Sequence, residues 1–318
     1  MGMSSTRQER LIMSILNRLR ENFSEGKSTI PVVAASVLVL LSTSAFAFDK
    51  SKFEANPNNV SSKAVTYQNI DNVSAMTVTL DYSMRGSNLD WNRRGTPGFA
   101  QRWQINTRMN SRTPSGSTGW YSYKFYVENS VDTRQHTIGL NDFISVHNES
   151  MTGAPPVSFQ MNNNDFALSL STSDKSTCKQ WVSGAKECKG NSVYWGILAE
   201  DLKGRWVEVV YRIDWSRSGS VAVWIDSQLI AELHGDVRQS GTQFIYKVGS
   251  YRHHMHKATE RGIEIKPAVI HYADIEFGSS CSQLQISCDN LQPVSGENQA
   301  NNLKSLEFCN SGTCHRLQ

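Results

Sequence analysis

One feature constrains the fold more than any other: short runs of alternating apolar and polar residues recur along the chain from about residue 64. Each run is rich in Val, Ile, Tyr, Trp or Thr and ends at turn residues, a pattern typical of β-strands with one buried face. No long stretch beyond residue 47 keeps the period of a helix, so the pattern predicts an all-β protein. The clearest runs are Ala75–Tyr82, Trp120–Val127, Phe166–Leu170, Trp206–Ile213 and Ser220–Ile225.

The spacing of these runs favours a sandwich or jelly roll, in which antiparallel sheets pack face to face and curve to leave a concave groove. Of the 318 residues, 39% are hydrophobic and 19% are charged, which is too apolar a composition for a disordered protein. The presence of one long apolar run rather than many excludes a polytopic membrane protein. The formal net charge is only +3, which argues against a dedicated nucleic-acid binder.

Residues 1–47 have the features of an export signal peptide. A basic region ends at Lys27, an apolar core spans residues 30–41, and Ala45-Phe46-Ala47 forms an A-x-A cleavage site. An uncleaved membrane anchor is the alternative, but the core is shorter than the roughly 20 residues of a spanning helix. We therefore expect a secreted or periplasmic protein with no membrane contact after cleavage.

The rest of the chain is predicted to hold one jelly-roll domain, residues 48–278, and a Cys-containing appendage or tail, residues 279–318. The tail is rich in Ser, Asn and Gln and carries four of the six cysteines. An even number of cysteines in an exported chain predicts disulfides, and six cysteines allow 15 pairings. A zinc site is the competing interpretation. The simplest disulfide scheme has three local pairs: Cys178–Cys188, Cys281–Cys288 and Cys309–Cys314.

The segment 244–253 is the strongest candidate for a functional strand. In a β-strand, Lys247, Gly249, Tyr251 and His253 would share one face. This composition indicates either the lining of a polar groove, in which the Gly gives a ligand close access, or an ordinary solvent-facing strand. The residues alone leave both interpretations open.

The same segment resembles the Y-F-K-A-G-x-Y-x-Q signature of the jelly-roll polysaccharide lyases, which include alginate lyases. The stretch 204–226 is similar to the W-x-x-V-V strand and G-x-V-x-V-W hairpin of the related heparin lyase I and glucuronan lyase group. The resemblance extends, with gaps, over residues 98–278 and implies a concanavalin-like jelly roll. Four residues match the signature and one departs from it, since His253 replaces the Gln: Tyr246, Lys247, Gly249 and Tyr251.

A second segment falls where the family has Q-[IV]-H. His147 fits this pattern, and Ser145 stands in place of the Gln whose amide helps to neutralise the substrate carboxylate. Because Ser145 has no amide, Gln160 or Asn162 on the following strand is an alternative source of that group.

A third segment falls where the family has an R-[ST]-E-[LV]-R strand. Arg102 and Gln104 alternate as this pattern requires, with Gln104 in place of Glu, and the second Arg is absent. Arg93 and Arg94 are competing candidates for the Arg of this strand.

The resemblance implies β-elimination on an acidic polysaccharide that contains uronic acid. This reaction needs a base for the C5 proton, neutralisation of the adjacent carboxylate and an acid for the leaving oxygen. Carried over residue by residue, Tyr251 transfers the proton, and His147 is its partner or the base. The predicted substrate-binding residues are Lys247, Arg102, Gln104, His253, Ser145 and Arg252.

The sequence predicts no metal site and no cofactor; calcium is an option that no motif supports. His253-His254-x-His256 has no acidic cluster beside it. We expect a monomer whose partner is an acidic polysaccharide and not nucleic acid. The alternatives are a non-catalytic lectin on the same sandwich and a glycoside hydrolase, which would need two close carboxylates that no motif supplies.

Overall fold

A computed structural model of the chain describes residues 48–56, 58–84, 98–132, 141–149, 155–162, 165–171, 187–189, 192–238, 241–294, 307–310 and 313–316. The chain divides into two compact units, Met1–Ala45 and Phe46–Gln318, and all described residues belong to the second. The predicted signal peptide, residues 1–47, lies outside them. Within the described ranges, no helix is long and apolar enough to cross a membrane.

Strands make up most of the described chain, as the alternating runs predict, and the two α-helices are short. These helices are α1 (Ala199–Leu202) and α2 (Met255–Glu260). The strands are β1 (Phe53–Ala55), β2 (Val65–Ile70), β3 (Val73–Leu80), β4 (Ala100–Thr107), β5 (Thr113–Pro114), β6 (Thr118–Val127), β7 (Asn141–Glu149), β8 (Val157–Asn162), β9 (Asp165–Ser171), β10 (Glu187–Lys189), β11 (Ser192–Leu198), β12 (Trp206–Asp214), β13 (Gly219–Ile225), β14 (Gln228–Gly235), β15 (Gln243–His253), β16 (Ala268–Gly278), β17 (Glu307–Asn310) and β18 (Thr313–Arg316).

These strands form two large antiparallel sheets. The nine-stranded sheet has the order β1-β4-β15-β7-β8-β9-β11-β10, and β5 pairs with β15 beside this path. The seven-stranded sheet has the order β14-β13-β12-β6-β16-β3-β2. Strands β17 and β18 form a separate hairpin. The two sheets make the predicted β-jelly-roll sandwich.

The core lies between the two sheets, and it accounts for the period-two pattern of the strands. The nine-stranded sheet contributes Trp103, Phe159 and Val248, and the seven-stranded sheet contributes Phe125 and Val209. Successive side chains of a strand point to opposite faces, so every second residue enters this core. Burial of apolar surface contributes about 25 cal/mol per Å² and is the main term that holds the sheets together.

Residues 279–294 pack against the outer face of the seven-stranded sheet. Ile286 and Leu291 contact an apolar cluster on that face that includes Trp224 and Leu229. The indole nitrogen of Trp224 donates a hydrogen bond to the carbonyl oxygen of Gln292 at 2.8 Å. The first part of the predicted tail is therefore a packed layer on the domain surface.

A disulfide joins Cys281 to Cys288 within this layer, and it confirms one of the three predicted pairs. Cys178 lies outside the described residues, so the predicted pair with Cys188 stays a prediction. Cys309 and Cys314 are opposite each other in the backbone register of the β17–β18 hairpin.

Candidate active site

Strands β4 and β15 bring several of the predicted site residues onto one face of the nine-stranded sheet. Their antiparallel register pairs Arg102 with Tyr251 and Gln104 with Gly249. Directly paired residues point to the same side of a sheet, and the intervening Trp103 belongs to the core. The side chains of Arg102, Gln104 and Tyr251 therefore point away from the core, onto what we call the polar face.

Lys247 adds a second cation to the polar face. It pairs with Asn106 of β4, while its neighbours Tyr246 and Val248 lie in the core. Lys247 and Arg102 each expose only 7% of their surface. A cation held at such low exposure interacts more strongly with an anion than a cation in bulk water, because the effective dielectric constant is lower.

The guanidinium of Arg102 lies over the ring of Tyr251. Its central carbon is 4.1 Å from the ring centroid, within the distance of roughly 6 Å that defines a cation–π contact. Tyr251 itself is partly exposed. The contact holds positive charge next to the position where negative charge would develop if Tyr251 gave up its proton.

Gly249 allows the close approach of β15 to β4 that this contact requires. Its φ of +129° is a backbone conformation that other residues rarely adopt. A Cβ at this position would lie 2.5 Å from the carbonyl oxygen of Trp103 and 2.8 Å from the Cα of Gln104. The side-chain amide of Gln104 donates to the carbonyl oxygen of Gly249 at 3.4 Å. A larger residue here would push apart the strands that carry Arg102 and Tyr251.

Gln160 of β8 lies on the polar face two strands away from Tyr251. In the backbone register, Tyr251 pairs with Phe143 of β7, and Phe143 pairs with Gln160. Because neighbouring strands are about 4.8 Å apart, the backbones of Tyr251 and Gln160 are separated by roughly 10 Å. Phe159 and Met161 on either side of Gln160 lie in the core. In the described part of the chain, the buried Oε1 of Gln160 has no hydrogen-bond partner. An unpaired buried oxygen costs free energy, so folding alone does not explain this side chain.

His253 and its neighbours form the end of the polar face. The imidazole of His253 is 5.6 Å from the Tyr251 ring and 4.6 Å from the Phe99 ring, between centroids. His254 follows in a left-handed conformation with φ of +63°, and burial lowers its pKa to about 4. Within the described ranges, no group of three or more His, Cys, Asp or Glu side chains is placed to hold a metal ion.

Ser145 and His147 lie on one face of β7, and this is the core face rather than the polar face that carries Tyr251. His147 pairs with Tyr246 and stacks on its ring inside the core. Ser145 is fully buried, and its hydroxyl is 2.8 Å from the Tyr211 hydroxyl. The physical reason is a register shift between Phe143 and Ser145 in the pairing of β7 with β8. Such a bulge inserts one residue and turns the following side chains to the other face.

The surroundings of His147 are aromatic and closed to solvent. Its ring lies 4.5 Å from the ring of Tyr121 and 5.0 Å from that of Tyr211. In the described residues, neither ring nitrogen has a hydrogen-bond partner. Burial lowers the pKa of His147 to about 3, so the imidazole is neutral at pH 7 and makes no contact with the polar face.

Arg252, which the sequence also predicts to bind substrate, does not lie on the polar face. Arg252 pairs with Gln101 of β4 and Asp142 of β7, one residue out of step with Tyr251. Its guanidinium donates a hydrogen bond to the carbonyl oxygen of Lys266 at 2.7 Å. Arg252 therefore points to the side opposite the polar face. Its hydrogen bond there connects β15 to the segment that precedes β16.

Five of the eight predicted site residues thus come together on the polar face, and three do not. Arg93, Arg94 and the side chain of Asn162, which the sequence left as alternatives, lie outside the described residues. Sequence reasoning gave Gln160 only as an alternative and did not single out Asn106, which the alternation around Trp103 and Ile105 places on the polar face. The five residues are Arg102, Gln104, Lys247, Tyr251 and His253.

This arrangement suits a ligand that carries negative charge. Arg102 and Lys247 supply two cations at low exposure, Gln104 and Gln160 supply amides, and Tyr251 supplies a phenol beside a guanidinium. A guanidinium matches the geometry of a carboxylate, and a positioned phenol can transfer a proton. The polar face therefore combines anion binding with a group for acid–base chemistry.

Most of the chain matches the model of one protein family. A family model described as polysaccharide lyase matches residues 47–275, and no curated protein matches the chain. The endo-β-1,4-glucuronan lyase of the fungus Trichoderma reesei is 16% identical over 74% of this chain and 94% of its own, with a TM-score of 0.49. An alginate lyase from Alteromonas sp. 272 is 14% identical over 72% of this chain and 94% of its own, with a TM-score of 0.43.

Proposed function

The chain belongs to the polysaccharide lyase family, and from this premise we propose that it cleaves a uronic-acid-containing polysaccharide by β-elimination on its polar face. The observation that carries the proposal is the contact between Arg102 and Tyr251, 4.1 Å from cation to ring centroid. It joins a proton-transfer group to a cation on a face that also holds Lys247. A neutral glycan would gain nothing from two cations at low exposure, whereas a polyuronate would pair with both.

In the proposed reaction, Tyr251 is the residue that transfers a proton to the leaving glycosidic oxygen. Removal of the C5 proton leaves an electron pair that forms the C4–C5 double bond, and the C4–O bond of the glycosidic linkage breaks. The departing oxygen must receive a proton, and Tyr251 is positioned to supply or relay it. The ring of His253 lies 5.6 Å from that of Tyr251. We therefore assign to His253, rather than to His147, the role of the base that accepts the C5 proton.

The substrate carboxylate next to C5 must be neutralised while the proton leaves. Arg102 and Lys247 provide positive charge for it, and the Arg102 fork suits two carboxylate oxygens. Ser145 lies in the core and does not fill the role of the family's Gln. Gln160 is our candidate for that role because its amide lies on the polar face, opposite Phe143 in the register.

We further propose that the protein acts outside the cytoplasm, in the periplasm or the medium, as the A-x-A site at Ala45-Phe46-Ala47 suggests. The expected partner is an acidic polysaccharide, with glucuronan, alginate and heparin-like chains as the candidates. The named solved structures that resemble this chain include a glucuronan lyase and an alginate lyase. We expect a monomer that needs no added metal, so activity should survive a chelator.

The test is an elimination assay on the chain without residues 1–47. Each polymer, namely glucuronan, alginate and heparin, is incubated with the protein, and the ultraviolet absorbance of the unsaturated uronate product is followed. A rise with one polymer supports the proposal and identifies the substrate class. Binding of a polymer without any rise would contradict it and favour a carbohydrate-binding protein on the same sandwich.

A further inference from the structure

A cleft lies at the end of β15 opposite to Tyr251. Its volume of about 680 Å³ falls within the range of roughly 300–1,000 Å³ that is typical of small-molecule sites. Thr113 of the cleft wall lies near Phe244, its register partner, and Tyr251 is seven residues further along β15. At about 3.3 Å per residue, the cleft is roughly 23 Å from Tyr251. The cleft is therefore distant from Tyr251, whereas Lys247 of the polar face lies three residues, or roughly 10 Å, from Phe244.

The charge of this cleft is positive. Lys52 and Arg112 line it, and none of the described residues that line it is Asp or Glu. The Nε of Arg112 is buried and has no hydrogen-bond partner in the described part of the chain. An arginine fork is well suited to a carboxylate.

The other walls of the cleft suit a sugar ring. Phe277 lines it, with the Nζ of Lys52 5.5 Å from the centroid of its ring. The ring is held from the core side by an edge contact with Phe53, at 5.5 Å between centroids. Ser117 and Thr118 add hydroxyls. An aromatic surface beside hydroxyls and cations matches the apolar ring faces, hydroxyls and carboxylate of a sugar acid.

One part of the cleft wall is fixed in place. Gln283 lines the cleft, and its Oε1 accepts a hydrogen bond from the backbone N–H of Ser279 at 2.7 Å. The disulfide between Cys281 and Cys288 closes the same short segment. A fixed wall lowers the entropy lost on binding.

We propose that this cleft is a second binding site for the anionic polysaccharide, which holds a uronate residue outside the polar face through Lys52 and Arg112. The choice of ligand rests on the function proposed above. A long chain that occupies both sites gains affinity through effective concentration, whereas a short oligosaccharide occupies one site at a time. The cleft thus favours long polymers over short products.

The test uses the variant Lys52→Gln/Arg112→Gln, with Lys63→Gln/Arg217→Gln as a control that removes two exposed charges elsewhere. With the polymer that the wild type cleaves, the first variant should raise KM by at least about tenfold at unchanged kcat. Its KM for short oligosaccharides and its melting temperature should stay at the wild-type values. The control should match the wild type throughout. An unchanged KM for the polymer, or an equal rise for short oligosaccharides, would overturn the proposal.

Affinity electrophoresis in gels that contain alginate or glucuronan separates this proposal from the proposed function. If no polymer is cleaved, the function fails, but retardation of the wild type that is lost in Lys52→Gln/Arg112→Gln would still support the cleft. Equal retardation of both proteins, or of neither, would refute it. Lys52→Gln alone, a change at an exposed side chain, provides a variant whose folding is not at risk.

Discussion

The imidazole of His147 stacks on the phenol ring of Tyr246, with centroids 4.8 Å apart and planes 10° from parallel. This contact lies between the two sheets, where His147 is 1% exposed. We therefore expect the protonation of His147 to be coupled to folding.

His147 should make the fold sensitive to acid. Its ordinary pKa of 6.5 applies in the unfolded chain, whereas burial lowers the folded value to about 3. Between these values the unfolded state binds the proton and the folded state does not. The free energy of unfolding therefore falls as the pH falls from about 6.5 towards 3, by up to about 1.4 kcal/mol per pH unit. Above this window, His147 contributes no pH dependence.

The variant His147→Leu, which has a similar volume, isolates this contribution. Denaturant unfolding at several pH values should show a flatter acid slope for the variant and, at pH 7, a stability within about 1.5 kcal/mol of the wild type. Turnover of the polymer should be unchanged. Loss of turnover in a folded His147→Leu protein would return His147 to the site and contradict the placement described above.

The sequence predicted much of the fold because alternation reports which residues are buried. Lys247, Gly249 and Tyr251 lie on one face of β15, as their spacing indicates, and the pairing with β4 brings Arg102 to Tyr251. The period of a strand is a local property, so it can be read directly from consecutive residues.

Alternation alone does not place His147, because it holds only along an uninterrupted ladder. Phe143 pairs with Tyr251 in the backbone register, and strict alternation from that pair would carry His147 to the polar face. The shift between Phe143 and Ser145 reverses the order, and no residue type in this stretch signals it. The position of Gln160 depends on the same pairing of distant segments and was equally hidden in the sequence.

Replacement of Gly249 by Ala should damage both stability and activity. The added Cβ would meet the backbone of β4 at 2.5 Å, at the carbonyl oxygen of Trp103, which cannot move aside as a side chain can. Backbone strain at positive φ alone costs roughly 1–3 kcal/mol, and the steric conflict adds to it. We expect a loss of more than about 3 kcal/mol in thermal or denaturant unfolding, with lower turnover in the folded fraction.

Gly262→Ala is the matched control for this prediction. Gly262 also has positive φ, at +66°, but a Cβ there would have no atom within 4 Å. Its cost should stay near the strain value of about 1 kcal/mol, with normal turnover. Equal losses in the two variants would show that the close approach of β4 and β15 is not what Gly249 provides.

Tyr251→Phe should remove turnover and leave the fold intact. The change deletes only the phenol oxygen of a partly exposed side chain, so stability should stay within about 1.5 kcal/mol of the wild type. Loss of a proton-transfer group lowers kcat by roughly 10²–10⁴-fold. Polymer binding in affinity electrophoresis should persist. Tyr67→Phe, at a half-exposed tyrosine of β2, is the control and should keep normal turnover. Normal turnover in Tyr251→Phe would rule out Tyr251 as the proton-transfer group.

Gln160→Leu should lower activity without lowering stability. Leu keeps most of the side-chain volume and removes the buried Oε1 that lacks a partner, so the fold should be as stable as the wild type or more stable by about 1 kcal/mol. The loss of an amide that bonds a carboxylate costs about 1.5–3 kcal/mol in the transition state, so kcat/KM should fall roughly 10–150-fold. Steady-state kinetics and thermal melting measure the two effects. Gln68→Leu, on β2 and away from the polar face, should leave kcat/KM unchanged, and any loss of stability would reflect its hydrogen bond to the Thr77 hydroxyl at 3.0 Å. Wild-type kcat/KM in Gln160→Leu would leave the neutralisation of the carboxylate to Arg102 and Lys247 alone.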